Sequence, residues 1–275
     1  MDQHNHLRRV GLLWLLASAV ATPLVILLVG PIVPPGSGSI EANGQVTDNT
    51  VLLGMVTPVI AGIIVYFAYA MIVFRAGGDA VLEGPAVRGH RGAQTSWIVL
   101  TSATVLFLAA FGSWRLLEDG SGGGQGPSPI AVPAGKPLQV QVIAQQWQFT
   151  YRYPSYGGVE TAHLEVPDNQ LVELHVTSLD VTHSFWAYQL GVKADANPGV
   201  DNVVYVTPTR LESFDIRCSE LCGLFHGYMF DTGEVVKPSA FASWIAKQRV
   251  LFAPATRLLP PYATTYSPDP QRRAG

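Results

Sequence analysis

The chain has 275 residues, of which 48% are hydrophobic and only 13% are charged. Soluble domains carry about 25% charged residues, so this composition argues against a wholly soluble protein, and it excludes a disordered one. A net charge of -3 without a basic stripe argues against nucleic-acid binding. The two cysteines are too few for a disulfide-rich scaffold.

The first apolar stretch, residues 10–33, is open to two interpretations. Arg8 and Arg9 precede it, and it contains small-residue cleavage sites, as in a signal peptide. Its uncharged length is greater than a signal peptide needs, which favours a retained membrane helix. Residues 1–33 are therefore either a signal peptide or an additional transmembrane helix.

Two further stretches without charged residues, 51–74 and 95–114, are each long enough to cross a bilayer. They predict a transmembrane helical hairpin over residues 49–118. The loop between them carries Arg75, Arg88 and Arg91. The positive-inside rule places this loop in the cytoplasm, so the chain after the hairpin is predicted to lie on the extracytoplasmic side.

A Gly/Ser linker is predicted at residues 119–129, where the sequence includes GSGGGQG. Residues 130–250 then alternate apolar and polar side chains in short runs separated by turn signals. Strands are predicted at residues 138–142, 148–153, 171–176, 202–206, 212–217 and 227–236. Many short strands without intervening helices indicate a Greek-key sandwich or barrel.

The C-terminal part of the chain is predicted to leave the sheets. Residues 239–249 have the pattern of a short amphipathic helix. Residues 251–275 are rich in proline and polar residues, which predicts an extended tail.

The segment from Cys218 to Met229 contains both cysteines of the chain together with His226. A further histidine, His183, lies upstream in the run Val-Thr-His-Ser-Phe. Thiolates, imidazoles and a thioether form a soft ligand set that suits copper better than magnesium or calcium. Two alternatives stay open at this point, namely a Cys218–Cys222 disulfide and a tetrahedral zinc site.

The same segment matches Cys-x-Glu-x-Cys-x3-His-x2-Met at every defined position, and with it the chain resembles subunit II of the haem-copper cytochrome c oxidases. The run around His183 resembles the first copper-histidine segment of that family. Residues 146–153, which are QWQFTYRY, resemble its aromatic electron-entry segment. The resemblance implies a membrane-anchored transmembrane α-helical hairpin followed by an all-β cupredoxin-like Greek-key domain.

The resemblance also implies a binuclear copper A centre with two copper ions. The implied ligands are the thiolates of Cys218 and Cys222, the imidazoles of His183 and His226, the thioether of Met229 and the backbone carbonyl of Glu220. The Glu220 side chain is implied to reach a magnesium or manganese ion shared with subunit I. Trp147 is implied to be the electron-entry residue, with a plain core position as its alternative.

The implied function is electron entry into a respiratory, proton-translocating terminal oxidase in the plasma membrane of a bacterium. Electrons would pass from cytochrome c to the copper centre and on to haem in subunit I, with subunit III as a further partner. The domain from Ile130 onward has 13 acidic and 11 basic residues, so the cytochrome c could be soluble or membrane-bound. The alternatives are a quinol oxidase subunit II and a membrane-anchored metal-binding module without a redox role.

Overall fold

The computed structural model describes residues 3–75, 89–119, 123–124 and 132–256. They fall into two compact units, one within Met1–Pro31 and Asp48–Glu118 and the other within Ile32–Thr47 and Asp119–Gly275. Most of the predicted linker and residues 257–275 of the predicted tail lie outside the described residues.

The described part of the first unit is helical. The helices α1 (Gln3–Leu28), α2 (Ile40–Val73) and α3 (Arg91–Asp119) are all long and apolar enough to cross a membrane. Their apolar side chains are largely exposed, as expected for helices whose solvent is lipid. The predicted membrane anchor is therefore confirmed.

Helices α1 and α2 approach each other closely through small residues. A Cβ atom at Gly62 would lie 3.2 Å from the Trp14 indole nitrogen, and one at Gly54 would lie 3.3 Å from Ile26. The Trp14 indole N–H donates a 2.8 Å hydrogen bond to the carbonyl oxygen of Pro58. Small residues at such a contact let the two backbones pack against each other in the absence of water.

The second unit is a sandwich of two sheets over the described residues. One sheet has the strand order β4-β3-β2-β6-β9 and the other has the order β1-β8-β7-β10-β11-β5. The strands are β1 (Gly123–Gly124), β2 (Leu138–Gln145), β3 (Gln148–Tyr153), β4 (Val159–Thr161), β5 (Glu165–Pro167), β6 (Val172–Ser178), β7 (His183–Ala187), β8 (Val192–Ala196), β9 (Asn202–Val206), β10 (Ser213–Cys218) and β11 (Phe230–Val236). The predicted all-β domain is confirmed.

The core lies between the two sheets. Strand β2 contributes Val140 and Val142, and strand β10 contributes Phe214 and Ile216, all of which are fully buried or nearly so. These side chains occur at every second position because successive residues of a strand point to opposite faces. This alternation is the pattern that predicted the strand at residues 138–142.

Two strands next to the metal-binding segment, β7 and β8, were not predicted. Four of the five residues of β7 are buried, so the apolar-polar alternation is absent there. A further helix, α4 (Pro238–Thr256), packs Phe241 and Ile245 into the core. Helix α4 starts near the predicted residue but continues through Thr256, six residues into the segment that we expected to be extended.

Residues between α1 and the apolar part of α2 also belong to the sandwich unit, which the sequence did not indicate. The Ser39 hydroxyl is fully buried and donates to the carbonyl oxygen of Leu190 at 2.7 Å. The Glu41 carboxylate accepts a 2.9 Å hydrogen bond from the backbone N–H of Thr207. These bonds satisfy polar groups that would otherwise be buried without partners.

Candidate metal centre

The strand register brings the predicted metal-binding residues together. His183 begins β7 and Cys218 ends β10, and these strands pair antiparallel with Cys218 opposite Phe185. The chain then loops through Cys222 and returns to β11. The backbone N–H of Cys218 donates to the carbonyl oxygen of Met229 at 3.0 Å, which closes this loop.

The donor atoms of the six predicted ligands converge on one point. The two Sγ atoms lie 3.8 Å apart, the Nδ1 atom of His183 lies 3.9 Å from Cys218 Sγ, and that of His226 lies 3.6 Å from Cys222 Sγ. On the remaining sides, Met229 Sδ lies 3.8 Å from Cys222 Sγ, and the Glu220 carbonyl oxygen lies 3.2 Å from Cys218 Sγ. Each donor is therefore within a few ångströms of a thiol.

The centre is shielded from solvent on its inner side. His183 is fully buried, and Cys222 and Met229 are exposed to only 3% and 2%. His226 is half-buried, and Glu220 is exposed. In the described part of the chain, His183, Cys218 and Cys222 are the one cluster of histidine, cysteine or acidic side chains with the geometry to hold a metal ion.

The two cysteines are free thiols in this structure. Their Sγ atoms are 3.8 Å apart, whereas a disulfide needs about 2.05 Å. The structure therefore does not adopt the disulfide that the sequence left open. A pair of separate sulfur atoms at this distance leaves both available as ligands.

The two thiols differ in acidity. Burial would raise the pKa of Cys218, but the hydrogen bond with His183 and backbone hydrogen bonds at Ser184 and Glu220 outweigh it and lower this pKa below its ordinary value. Burial and the neighbouring Cys218 raise the pKa of Cys222. These opposite shifts favour one thiolate and one thiol, and a cation near both sulfurs would favour loss of the second proton.

Burial disfavours a charged His183, but its hydrogen bonds with Cys218 and Asp180 more than compensate and raise its pKa. Asp180 accepts from the His183 Nε2 atom at 2.9 Å, which leaves Nδ1 directed at Cys218. Burial would raise the pKa of Asp180, whereas the backbone N–H groups of Gln146 and Val181 and the His183 ring lower it. The carboxylate is therefore ionised beside the histidine.

Trp147 lies beside the metal centre in a half-buried position. Its indole N–H donates to the carbonyl oxygen of Cys222 at 3.2 Å, and its ring packs edge-on against Phe225 with 4.8 Å between centroids. The Gln146 side-chain amide donates to the same carbonyl oxygen at 2.8 Å. The predicted electron-entry residue thus contacts the backbone of a predicted ligand.

Sequence reasoning missed Asp180 and Gln146, which contact the centre without being ligand candidates themselves. The spacing Asp-x2-His at Asp180 and His183 was a usable signal, because metal-binding histidines usually donate their second ring N–H to a carboxylate or carbonyl group. Gln146 carried no signal beyond its place next to Trp147. Its contacts depend on loops that lie far apart in the sequence.

A membrane-anchored β-sandwich with this soft ligand set has the architecture of a cupredoxin-like domain. The family model described as cytochrome C oxidase subunit II, periplasmic domain, matches residues 161–236. The chain is 34% identical to the cytochrome c oxidase subunit 2 of Thermostichus vulcanus over 121 residues, which are 44% of this chain and 36% of that protein. It is 26% identical to the probable cytochrome c oxidase subunit 2 of Rickettsia bellii over 242 residues, which are 80% of this chain and 84% of that protein.

Among solved structures, the periplasmic domain of subunit II of cytochrome oxidase of Bradyrhizobium japonicum is 31% identical and has a TM-score of 0.42. The match covers 44% of this chain and 99% of that domain. The chain belongs to the cytochrome c oxidase subunit II family. Its matches span less than half the length of some of the curated relatives, such as that of Thermostichus vulcanus.

Proposed function

We propose that this chain is the electron-entry subunit of a respiratory terminal oxidase and holds a binuclear copper A centre. The single observation that carries the proposal is the convergence of two free thiols, two imidazoles, a thioether and a backbone carbonyl within one buried site. This donor set fits copper, because thiolate and thioether ligands select soft metals. Family membership supports the same assignment.

The proposed ligands are those that the sequence resemblance implied. Cys218 and Cys222 would hold the copper ions through their thiolate sulfurs, and His183 and His226 would hold them through ring nitrogens. Met229 and the Glu220 carbonyl would supply the weaker ligands, and the exposed Glu220 side chain would be available to a magnesium or manganese ion at subunit I. When bound, the copper pair supplies a one-electron couple.

The protein's own part in this reaction is to fix the ligands and to provide a route to the surface. The ligands start from two paired strands and a loop closed by a backbone hydrogen bond, so their positions change little with the charge of the site. The Trp147 ring lies between solvent and the Cys222 carbonyl, to which its N–H donates. We propose that electrons from cytochrome c enter here and leave towards haem in subunit I.

The membrane setting is part of the proposal. The three apolar helices anchor the domain, and the arginines of the loop between α2 and α3 favour an extracytoplasmic position for the sandwich. Subunit I, subunit III and a cytochrome c are the proposed partners. The quinol oxidase alternative is not favoured, because that branch lacks the ligand set present here.

The test is copper loading of the full chain in detergent micelles. We expect two copper ions per chain and a paramagnetic resonance spectrum with hyperfine structure from one unpaired electron shared equally by both. Cys218→Ser is expected to abolish the shared signal, and Ser219→Ala serves as its control one residue away. A chain that binds a single zinc ion, or copper without the shared hyperfine pattern, would contradict the proposal.

A further inference from the structure

Three backbone or side-chain N–H groups point at one carboxylate beside the metal centre. Asp180 accepts from His183 Nε2 at 2.9 Å and from the backbone N–H of Val181 at 2.7 Å, both through Oδ1. Its other oxygen, Oδ2, accepts from the backbone N–H of Gln146 at 2.7 Å. The carboxylate is thus shared between a proposed ligand and the turn that carries Trp147.

The same turn also contacts the second metal-binding segment. The Gln146 amide and the Trp147 indole both donate to the carbonyl oxygen of Cys222, at 2.8 and 3.2 Å. Gly223 follows directly, and a Cβ atom there would lie 2.9 Å from the Gln146 amide nitrogen. The turn at Gln146 therefore lies between the His183 side and the Cys222 side of the centre, with hydrogen bonds to both.

We infer that Asp180 is a positioning residue that sets the His183 ring and the Trp147 turn in one fixed arrangement around the metal centre. The inference rests on the proposed function for its metal. It assigns a role to Asp180, which is neither a proposed ligand nor one of the site residues predicted from the sequence. Asp180 acts through His183 and Gln146, and it is not itself a proposed metal ligand.

The hydrogen bond from Nε2 explains why Asp180 would matter for binding. A neutral imidazole carries one proton, and a carboxylate acceptor at Nε2 holds it there. Nδ1 is then the ring nitrogen that faces Cys218 Sγ, 3.9 Å away, and it is the atom available to a metal ion. His183 is fully buried whereas Asp180 is exposed, so this carboxylate links the buried ring to the protein surface.

The second oxygen explains how Asp180 would affect the turn. The N–H of Gln146 has a charged acceptor, and a hydrogen bond of this kind is about twice as strong as a neutral one. In Asp180→Asn, one oxygen becomes an NH2 group. If that group faces Gln146, two donors oppose each other and the turn loses its contact. Asp180→Ala removes both contacts.

The chain offers a matched control for these variants. Asp201 accepts from the Nδ1 atom of His175 at 2.7 Å, so it makes the same kind of carboxylate–imidazole hydrogen bond. His175 is also buried, but it lies on β6 in the other sheet. Asp201→Ala therefore removes an equivalent hydrogen bond without touching the metal centre.

The experiment uses the full chain in detergent micelles, with histidine nitrogens labelled, first without metal and then loaded with copper. In the metal-free chain, nitrogen resonances should show the proton of His183 on Nε2. That preference should be lost in Asp180→Ala and kept in Asp201→Ala. In the loaded chain, Asp180→Ala should weaken copper binding by about 10- to 100-fold, the usual effect of removing such a partner, and alter the hyperfine pattern. Asp201→Ala should leave both unchanged.

Outcomes that overturn the inference are distinct from those that overturn the proposed function. If the wild-type chain shows the shared copper signal but Asp180→Ala keeps the same affinity, spectrum and His183 resonances, Asp180 is not a positioning residue. If Asp201→Ala weakens copper binding equally, the effect is one of general stability, and the inference is again wrong. If the wild-type chain takes up no copper, the proposed function fails. In that case the metal-free chain still tests the inference. The inference is wrong if the His183 resonances are the same in the wild-type chain and in Asp180→Asn.

Discussion

Replacing Gly223 with alanine should loosen the cysteine segment of the metal centre. Gly223 follows Cys222 and has a φ angle of +114°, a region that residues with a Cβ atom rarely adopt. The added Cβ would lie 2.9 Å from the Gln146 amide nitrogen and 3.5 Å from the Trp147 indole. The substitution therefore disfavours the backbone conformation at residue 223 and disturbs the packing against the turn that carries Gln146 and Trp147.

The expected cost follows from these two terms. A non-glycine residue at such a φ angle costs about 1–3 kcal/mol. Displacing the Gln146 amide also weakens its 2.8 Å hydrogen bond to the Cys222 carbonyl, a loss of about 1 kcal/mol. We expect the free energy of opening this segment to fall by about 2–4 kcal/mol, which is roughly a 30- to 700-fold increase in the open population.

The assay is alkylation of the metal-free chain by a thiol reagent under native conditions. The chain has only two cysteines, and both are buried, so labelling reports opening of the centre itself. When reclosing is faster than labelling, the rate is proportional to the open population. Gly223→Ala should therefore label roughly 30- to 700-fold faster than the wild-type chain.

Gly227 provides the matched control in the same loop. In the described part of the chain, no heavy atom lies within 4 Å of the position of a Cβ at Gly227, and its φ angle is not positive. Gly227→Ala should label at nearly the wild-type rate. Equal rates for Gly223→Ala and Gly227→Ala would refute the reasoning, because they would mean that neither the φ angle nor the Gln146 contact stabilises the segment.

Three other predictions concern the entry residue, the pH dependence and the first helix. Trp147→Phe should slow reduction of the copper-loaded chain by cytochrome c while the copper content stays unchanged. Loss of the indole hydrogen bond should lower the free energy of unfolding by about 1 kcal/mol. An unaltered reduction rate would exclude Trp147 as the entry point. Burial and the neighbouring Glu234 raise the pKa of Glu165 from 4.5 to about 7, so the folded state holds a proton that the unfolded chain releases. Stability should therefore decline as pH rises from about 4.5 to about 7, and Glu165→Gln should reduce that decline in melting temperature; the same slope in both chains would count against it. The indole of Trp14 donates to the Pro58 carbonyl oxygen on α2, so we expect α1 to be retained. Mass spectrometry of the membrane-extracted chain should then detect residues 3–28. A mature chain that starts after the small-residue sites at residues 17–21 would disprove this prediction.

Local sequence patterns were sufficient to predict the helices that lie in lipid and most of the strands that bury one face. The apolar stretches predicted the membrane helices because a lipid-facing helix must be apolar over its whole length. Runs rich in β-branched and aromatic residues predicted the strands β3 and β9 with their observed bounds, Gln148–Tyr153 and Asn202–Val206. The patterns missed β7, because four of its five residues are buried and no polar face alternates with an apolar one. They also missed β8, although its five residues do alternate between buried apolar and less buried polar side chains.

The ligand types and their spacing could also be predicted from the sequence, since five of the six proposed ligands lie within residues 218–229. The partners that orient these ligands could not. Asp180, Gln146 and Cys222 belong to three separate loops, and only the pairing of β2 with β6 and of β7 with β10 brings those loops to one end of the sandwich. Hydrogen bonds between distant loops depend on the sheet register, which no local pattern of residues specifies.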